Sequence, residues 1–266
     1  MLQRKDIMAL LTINVASRVL ARQADVVVLL PERDEQFGPR GGASEAMRPY
    51  RVLYLLHGLG GDRTSWLRNT TIEDLARTTD VAVVMPQVEH GFYTDMAHGQ
   101  PYFSFVADEL PRYLASILPL STRREDTMVC GASMGGYGAF KLALTYPERF
   151  CRAAALSGAL DIQRFVTTFT QEGFDPRLAF GDNLGVAGTA NDLFYLLDRD
   201  LDAGYALPGL YSFCGTEDIL LEESRRFAQY AQSRAIGYEY VEGPGEHRWT
   251  TWAQAILPAF TWLTAR

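Results

Sequence analysis

From Tyr50 onward the chain repeats one pattern, a short unbroken apolar run followed by a longer stretch whose apolar residues recur at three- and four-residue steps. Strands that lack polar alternation belong to a mostly parallel sheet, because crossover helices cover both of its faces. The strands predicted this way are Arg51 to Leu56, Val81 to Met85, Thr127 to Cys130, Arg152 to Leu156, Leu210 to Phe213 and Tyr238 to Val241. Ahead of them, residues 12 to 20 and 24 to 30 read as an antiparallel pair, the second run ended by Pro31. The polar stretch from Glu32 to Pro49, with Gly38, Gly41 and Gly42, reads as a loop rather than a linker. A single α/β domain over 1–266 is therefore expected.

The clearest helix is expected over 102–118, where Tyr102, Phe105, Val106, Leu110, Tyr113, Leu114 and Ile117 share a stripe. Pro111 interrupts it, since a proline there cannot donate to the carbonyl of Ala107 and should kink a continuous helix. Between Gly158 and Tyr205 the alternation fails, and Phe165, Phe169, Phe174, Phe180, Phe194 and Tyr195 follow without period. That segment, 158–205, reads as an insertion, either a satellite core of extra helices or a cap that shapes a pocket.

Composition narrows the partners. A net charge of -7 repels phosphate backbones and anionic membrane surfaces, and no dense basic cluster offsets it. Neither nucleic acid nor membrane is expected as a partner. Cys130, Cys151 and Cys214 each sit in or beside apolar segments and read as buried free thiols, which suits a reducing compartment. Arg4 and Lys5 precede an apolar stretch from Ile7 to Val15, but Asp6 and Asn14 interrupt the pattern of a signal peptide, so a cytoplasmic location is expected.

Chemistry concentrates in Gly131-Ala132-Ser133-Met134-Gly135, a G-x-S-x-G sequence between a predicted strand and a helical pattern that runs through Leu144. A serine on so sharp a strand-to-helix turn is strained, and the glycines remove side chains that would collide. This is the nucleophile turn of the α/β-hydrolase fold, in which a carboxylate and then a histidine follow the serine along the chain. A serine hydroxyl needs that base within hydrogen-bond reach, and the base needs a carboxylate to hold its tautomer. His247 alone among four histidines follows Ser133. For the acid, Asp218 is favoured because Gly215 lets the loop after Leu210 to Phe213 fold back, with Glu217 and Asp161 as competitors.

His57 reads as a structural residue behind the oxyanion loop, and His90, Asp95 and His98 match no metal-ligand spacing, so no metal is expected. The tetrahedral intermediate needs two aimed N–H donors. Met134, the residue after the nucleophile, offers one, and Leu59 in His57-Gly58-Leu59-Gly60-Gly61 the other. A phosphate cradle is the competing reading of these glycines, but no Lys-Ser/Thr pair follows them.

Four segments together, His57-Gly58-Leu59-Gly60-Gly61 with Trp66, Gly131 to Ala139, Cys214 to Asp218, and Gly245-Glu246-His247-Arg248-Trp249, resemble the putative esterase family. That family includes esterase D, or S-formylglutathione hydrolase, and the tributyrin esterases. The resemblance spans roughly residues 12 to 265. It implies an α/β-hydrolase fold, a serine esterase without cofactor and a small-molecule ester as substrate, short-chain acyl or cinnamoyl/feruloyl. Phe92-Tyr93-Thr94 with Tyr102-Phe103 is most similar to the tributyrin and cinnamoyl esterase branch, which implies that Gly58, Tyr93 and Tyr102 border the substrate. The His57 loop departs from the S-formylglutathione hydrolase pattern, so thioester hydrolysis is the secondary expectation. Acyl transfer to an alcohol, a non-catalytic binding role and the oligomeric state are left open by the sequence.

Overall fold

The computed structural model describes residues 8–31, 48–169 and 173–265; the loop expected over 32–49 lies mostly outside them, as do Arg4, Lys5 and Asp6. Among the described residues, eight strands form one sheet in the order β1-β2-β4-β3-β5-β6-β7-β8. They are β1 (Met8–Ser17), β2 (Arg22–Pro31), β3 (Arg51–Leu56), β4 (Val81–Pro86), β5 (Thr127–Ala132), β6 (Arg152–Leu156), β7 (Gly209–Gly215) and β8 (Tyr238–Gly243). The β1–β2 hairpin is antiparallel and joins β4 antiparallel, while β3 to β8 run parallel.

Strand parity explains why the parallel strands read as unbroken apolar runs. In β3, Val52, Tyr54 and Leu56 enter the core on one face of the sheet, while Leu53 and Leu55 enter the core on the other. The same division recurs in β5, where Val129 faces one way and Met128 and Cys130 the other. Each fully buried aliphatic side chain contributes about 1.5–3 kcal/mol of transfer free energy, which favours apolar residues on both faces of the central strands. Helix α5 (Met134–Thr145) covers the first face, whereas α2 (Ile72–Thr79) and α10 (Trp249–Thr264) cover the second. No helix among the described residues is long and apolar enough to cross a membrane.

Chain order sets the place of the site. From β3 the chain moves to β4 on one side, then crosses to β5 on the other, so the carboxyl ends of β3 and β5 flank a topological switch point. Ligands of open α/β sheets bind in the crevice that such a reversal leaves.

The helix expected over 102–118 is interrupted. It begins as α3 (Tyr102–Ser104), widens into a π turn over Phe105–Glu109, and resumes as α4 (Leu110–Ile117) with Pro111 in its first turn. The Leu110 N–H bonds the Phe105 carbonyl five residues back, the register of a π turn. Pro111 offers no N–H to the Ala107 carbonyl, and Arg149 Nη1 donates to that oxygen instead, at 3.0 Å. Between β6 and β7 lie α6 (Ile162–Thr168), α7 (Pro176–Phe180) and α8 (Leu193–Asp202), so the aperiodic segment is helical in short pieces. The three cysteines are free; Cys130 and Cys214 are buried as expected, but Cys151 at the sheet's lower end is only half-buried.

Replacing Arg149 by Met keeps the stem but leaves the Ala107 carbonyl without that donor. The variant is expected to lose about 1–3 kcal/mol of stability in urea unfolding. An unchanged midpoint would show that the π turn needs no such partner.

Candidate active site

Ser133 stands between β5 and α5 with φ 55° and ψ −120°, a conformation that costs a non-glycine residue about 1–3 kcal/mol. The turn is held from outside: the Ser133 N–H bonds the Leu156 carbonyl at 2.9 Å, tying the serine to the end of β6. The flanking glycines are required by contact. A Cβ on Gly131 would lie 2.3 Å from the Gly135 carbonyl, and one on Gly135 would lie 2.3 Å from the Leu56 oxygen.

His247 arrives from the loop after β8, and two glycines let that loop close on the loop after β7. A Cβ on Gly215 would lie 2.1 Å from the Gly245 oxygen, so the two backbones touch. Thr216 N–H bonds the Gly243 carbonyl at 2.8 Å, and Glu217 accepts the Gly245 N–H at 2.7 Å. This stitching sets the imidazole between two partners. His247 Nε2 is 2.9 Å from Ser133 Oγ, and Nδ1 is 2.8 Å from Asp218 Oδ1. Asp218 Oδ1 also accepts the Leu220 N–H at 2.8 Å, which fixes the carboxylate. With Nδ1 donating to the acid, Nε2 is left to accept from the hydroxyl.

The competing acids are engaged elsewhere. Glu217 is on Gly245 and Thr216, while Asp161 caps α6 and accepts from Arg226 Nε at 2.7 Å. His57 is buried, and burial pushes its pKa down. Its Nε2 accepts the Val88 N–H at 3.2 Å, so Nδ1 carries the proton and donates to the Gly58 carbonyl at 2.8 Å. The same carbonyl accepts the Gly61 N–H at 3.0 Å, closing a turn in which Gly60 takes φ 73°. His90 packs against Phe174, His98 pairs with Asp182, and Asp95 accepts from Ser104, so these three do not converge. No group of metal-ligating side chains occurs among the described residues.

A cleft of about 410 Å³ opens over these groups. Gly58, Leu59, Gly60 and Gly61 line one side beside Ser133; Phe165, Phe169, Ile219, Leu220, Trp249 and Trp252 supply apolar walls. Trp252 meets the His247 ring edge to face at 5.0 Å, its indole N–H held by Ser157 Oγ at 3.0 Å.

The expected places of Tyr93 and Tyr102 need correction. Both are buried and neither lines the cleft. The Tyr93 ring occupies the gap left by Gly138, where a Cβ would lie 2.4 Å from it, and Tyr102 fills the equivalent gap at Gly91. Both rings therefore pack under the surface, beneath the loop that was expected to present them.

Lys141 is a residue near the site that no motif singles out. It is buried in α5, donates to the Tyr93 carbonyl at 3.1 Å and to Asn191 Oδ1 at 2.6 Å, and lies 4.6 Å from the Phe103 ring centre. Burial pushes its pKa down to about 7. The available signal was one lysine inside an otherwise apolar helix, four residues after Tyr137.

The family profile described as Putative esterase matches residues 17–191. The chain belongs to the Putative esterase family. A member-like relative, an acetyl esterase of Caldicellulosiruptor saccharolyticus, is 32% identical over 97% of this chain and 98% of its own length. The substrate-bound fluorophosphonate-binding serine hydrolase F of Staphylococcus aureus superposes with a TM-score of 0.91 at 34% identity, covering 97% of this chain and 99% of that one. An S-formylglutathione hydrolase of the same organism gives 0.87 at 34% identity, over 97% and 100%. The architecture of this Putative esterase chain is the α/β-hydrolase fold, as its motifs implied.

The Gly135→Ala variant should show how tightly the serine turn is packed. Its methyl would meet backbone, which cannot swing aside, and a loss of about 3 kcal/mol or more is expected on denaturation. Wild-type stability in that variant would mean that α5 can slide away from β3.

Proposed function

We propose that the chain is a serine carboxylesterase that hydrolyses short-chain acyl esters through an acyl-enzyme on Ser133. The observation that carries this reading is the continuous hydrogen-bonded line from Ser133 Oγ through His247 to Asp218, open to the cleft at the serine end. In the first step Ser133 Oγ attacks the ester carbonyl while His247 Nε2 takes its proton, and Asp218 stabilises the imidazolium that forms. The oxyanion is met by the N–H groups of Met134 and Leu59, and Gly58, whose missing side chain leaves room against Ser133, lets that loop come close. His247 returns its proton to the leaving alkoxide. Water then enters by the same route in reverse, and free acid leaves.

Wall chemistry supports a neutral substrate. The cationic side chain on the cleft is Arg248, which is already paired with Glu246. A glutathione thioester carries carboxylates that would want a free cation there, so the ester reading is preferred over the thioester one. Phe165 and Phe169 come from the 158–205 segment, which supports reading it as a cap over the acyl or alcohol group. The free thiols support a cytoplasmic setting.

Three variants test the assignment with p-nitrophenyl acetate. Ser133→Ala should abolish turnover while melting like the parent; retained turnover would remove the nucleophile from the scheme. Asp218→Asn keeps the shape but favours the wrong imidazole tautomer, so kcat should fall by roughly 10³ to 10⁴. Glu217→Gln, which touches only the loop, should keep kcat within about tenfold. A reversed order between the two would exchange their roles.

A further inference from the structure

A line of hydrogen bonds, part-buried at the insertion and buried toward the glycine loop, joins the two. Tyr137 Oη donates to the Asn191 carbonyl at 2.7 Å, and Asn191 Oδ1 accepts from Lys141 Nζ at 2.6 Å. Lys141 Nζ also donates to the carbonyl of Tyr93. Tyr93 Oη donates to the His57 carbonyl at 3.0 Å, and His57 Nδ1 donates to the carbonyl of Gly58. Gly58 begins the turn that carries Leu59.

Two features show that this line is held under constraint. Phe92 and Tyr93 are consecutive non-glycine residues with φ 49° and 48°, a pairing the chain does not adopt unless its surroundings impose it. Gly138 leaves the space that the Tyr93 ring fills. A lysine buried in an apolar helix is likewise retained at a cost, because desolvation opposes its charge. Neither Tyr93 nor Lys141 lines the cleft.

We propose that Lys141 and Tyr93 are positioning residues for the oxyanion loop: the ammonium clamps the strained Tyr93 peptide, and the phenol sets the His57–Gly58 backbone that aims the Leu59 N–H. This rests on the esterase reading above, and adds that the segment ahead of α8 is coupled to transition-state stabilisation through Asn191. A donor displaced by a fraction of an ångström weakens the oxyanion more than the ground-state carbonyl, because the charge develops only in the transition state. The signature is therefore a loss in kcat with KM unmoved.

The test uses Tyr93→Phe, Lys141→Met and the double variant, each assayed with p-nitrophenyl acetate and with an alkylboronic acid that forms a tetrahedral adduct on the serine. Active sites are counted by fluorophosphonate titration, so that kcat refers to folded enzyme. Tyr93→Phe removes one hydroxyl and should lower kcat per titrated site by about tenfold, weaken boronate binding by the same factor and leave KM unchanged. Lys141→Met should act in the same direction, and the double variant should lose no more than the worse single, as members of one line do. Wild-type kcat per site and boronate affinity in Tyr93→Phe, with Ser133→Ala inactive, would overturn the positioning role and leave the esterase reading standing. Turnover in Ser133→Ala would overturn both.

Discussion

The end of β3 and the first turn of α5 share a space in which no side chain fits. The Leu56 carbonyl lies where a Cβ on Gly135 would be, and the Gly135 carbonyl lies where a Cβ on Gly131 would be. From that contact follow the strained dihedrals of Ser133, the closeness of the glycine loop after β3 and the burial of α5 along nearly its whole length. A helix pressed so far into the molecule is apolar all round. Its one charged residue, Lys141, must find partners inside, and it finds them in loops that frame the site.

A second contact, between Gly215 and Gly245, does for Asp218 and His247 what the first does for Ser133. Here too, backbone meets backbone, and the carboxylate of Glu217 closes the join by accepting the Gly245 N–H. The site is thus assembled from two glycine-permitted approaches, one at the switch point between β3 and β5 and one at the ends of β7 and β8. The side chains of Ser133, His247 and Asp218 are separated widely in sequence yet need little freedom of their own, because the backbones beneath them are already fixed.

Much of this was written in the residues. The parallel strands lie within a few residues of where short apolar runs put them, because the central strands are covered on both faces; among them only the edge strand β8 exposes polar residues, Glu239 and Glu242. The G-x-S-x-G turn could be read because it states a steric requirement, and His247 because chain order left one histidine. What could not be read was direction and compensation. Tyr93 lies in the loop after β4 and Tyr102 opens α3, where an aromatic ring can face the cleft or the core, and the gaps at Gly138 and Gly91 decide for the core. Pro111 announced a disturbed helix without saying that a π turn upstream and Arg149 from another loop would absorb it. The aromatic residues of 158–205 lack period because they serve different neighbours: Phe165, Phe174 and Phe180 pack on Phe92, Phe194 packs on Phe227 and Tyr230, and Tyr195 is exposed.

The proposed esterase chemistry turns on a covalent step at Ser133. Rapid quenching of the enzyme with p-nitrophenyl butyrate, followed by peptide mass spectrometry, observes that step directly. A butyryl adduct on the peptide that contains Ser133, formed as fast as the initial release of nitrophenol, is the expected result. Steady turnover with no adduct under acid quench at any time, or an adduct on a different residue, would contradict it.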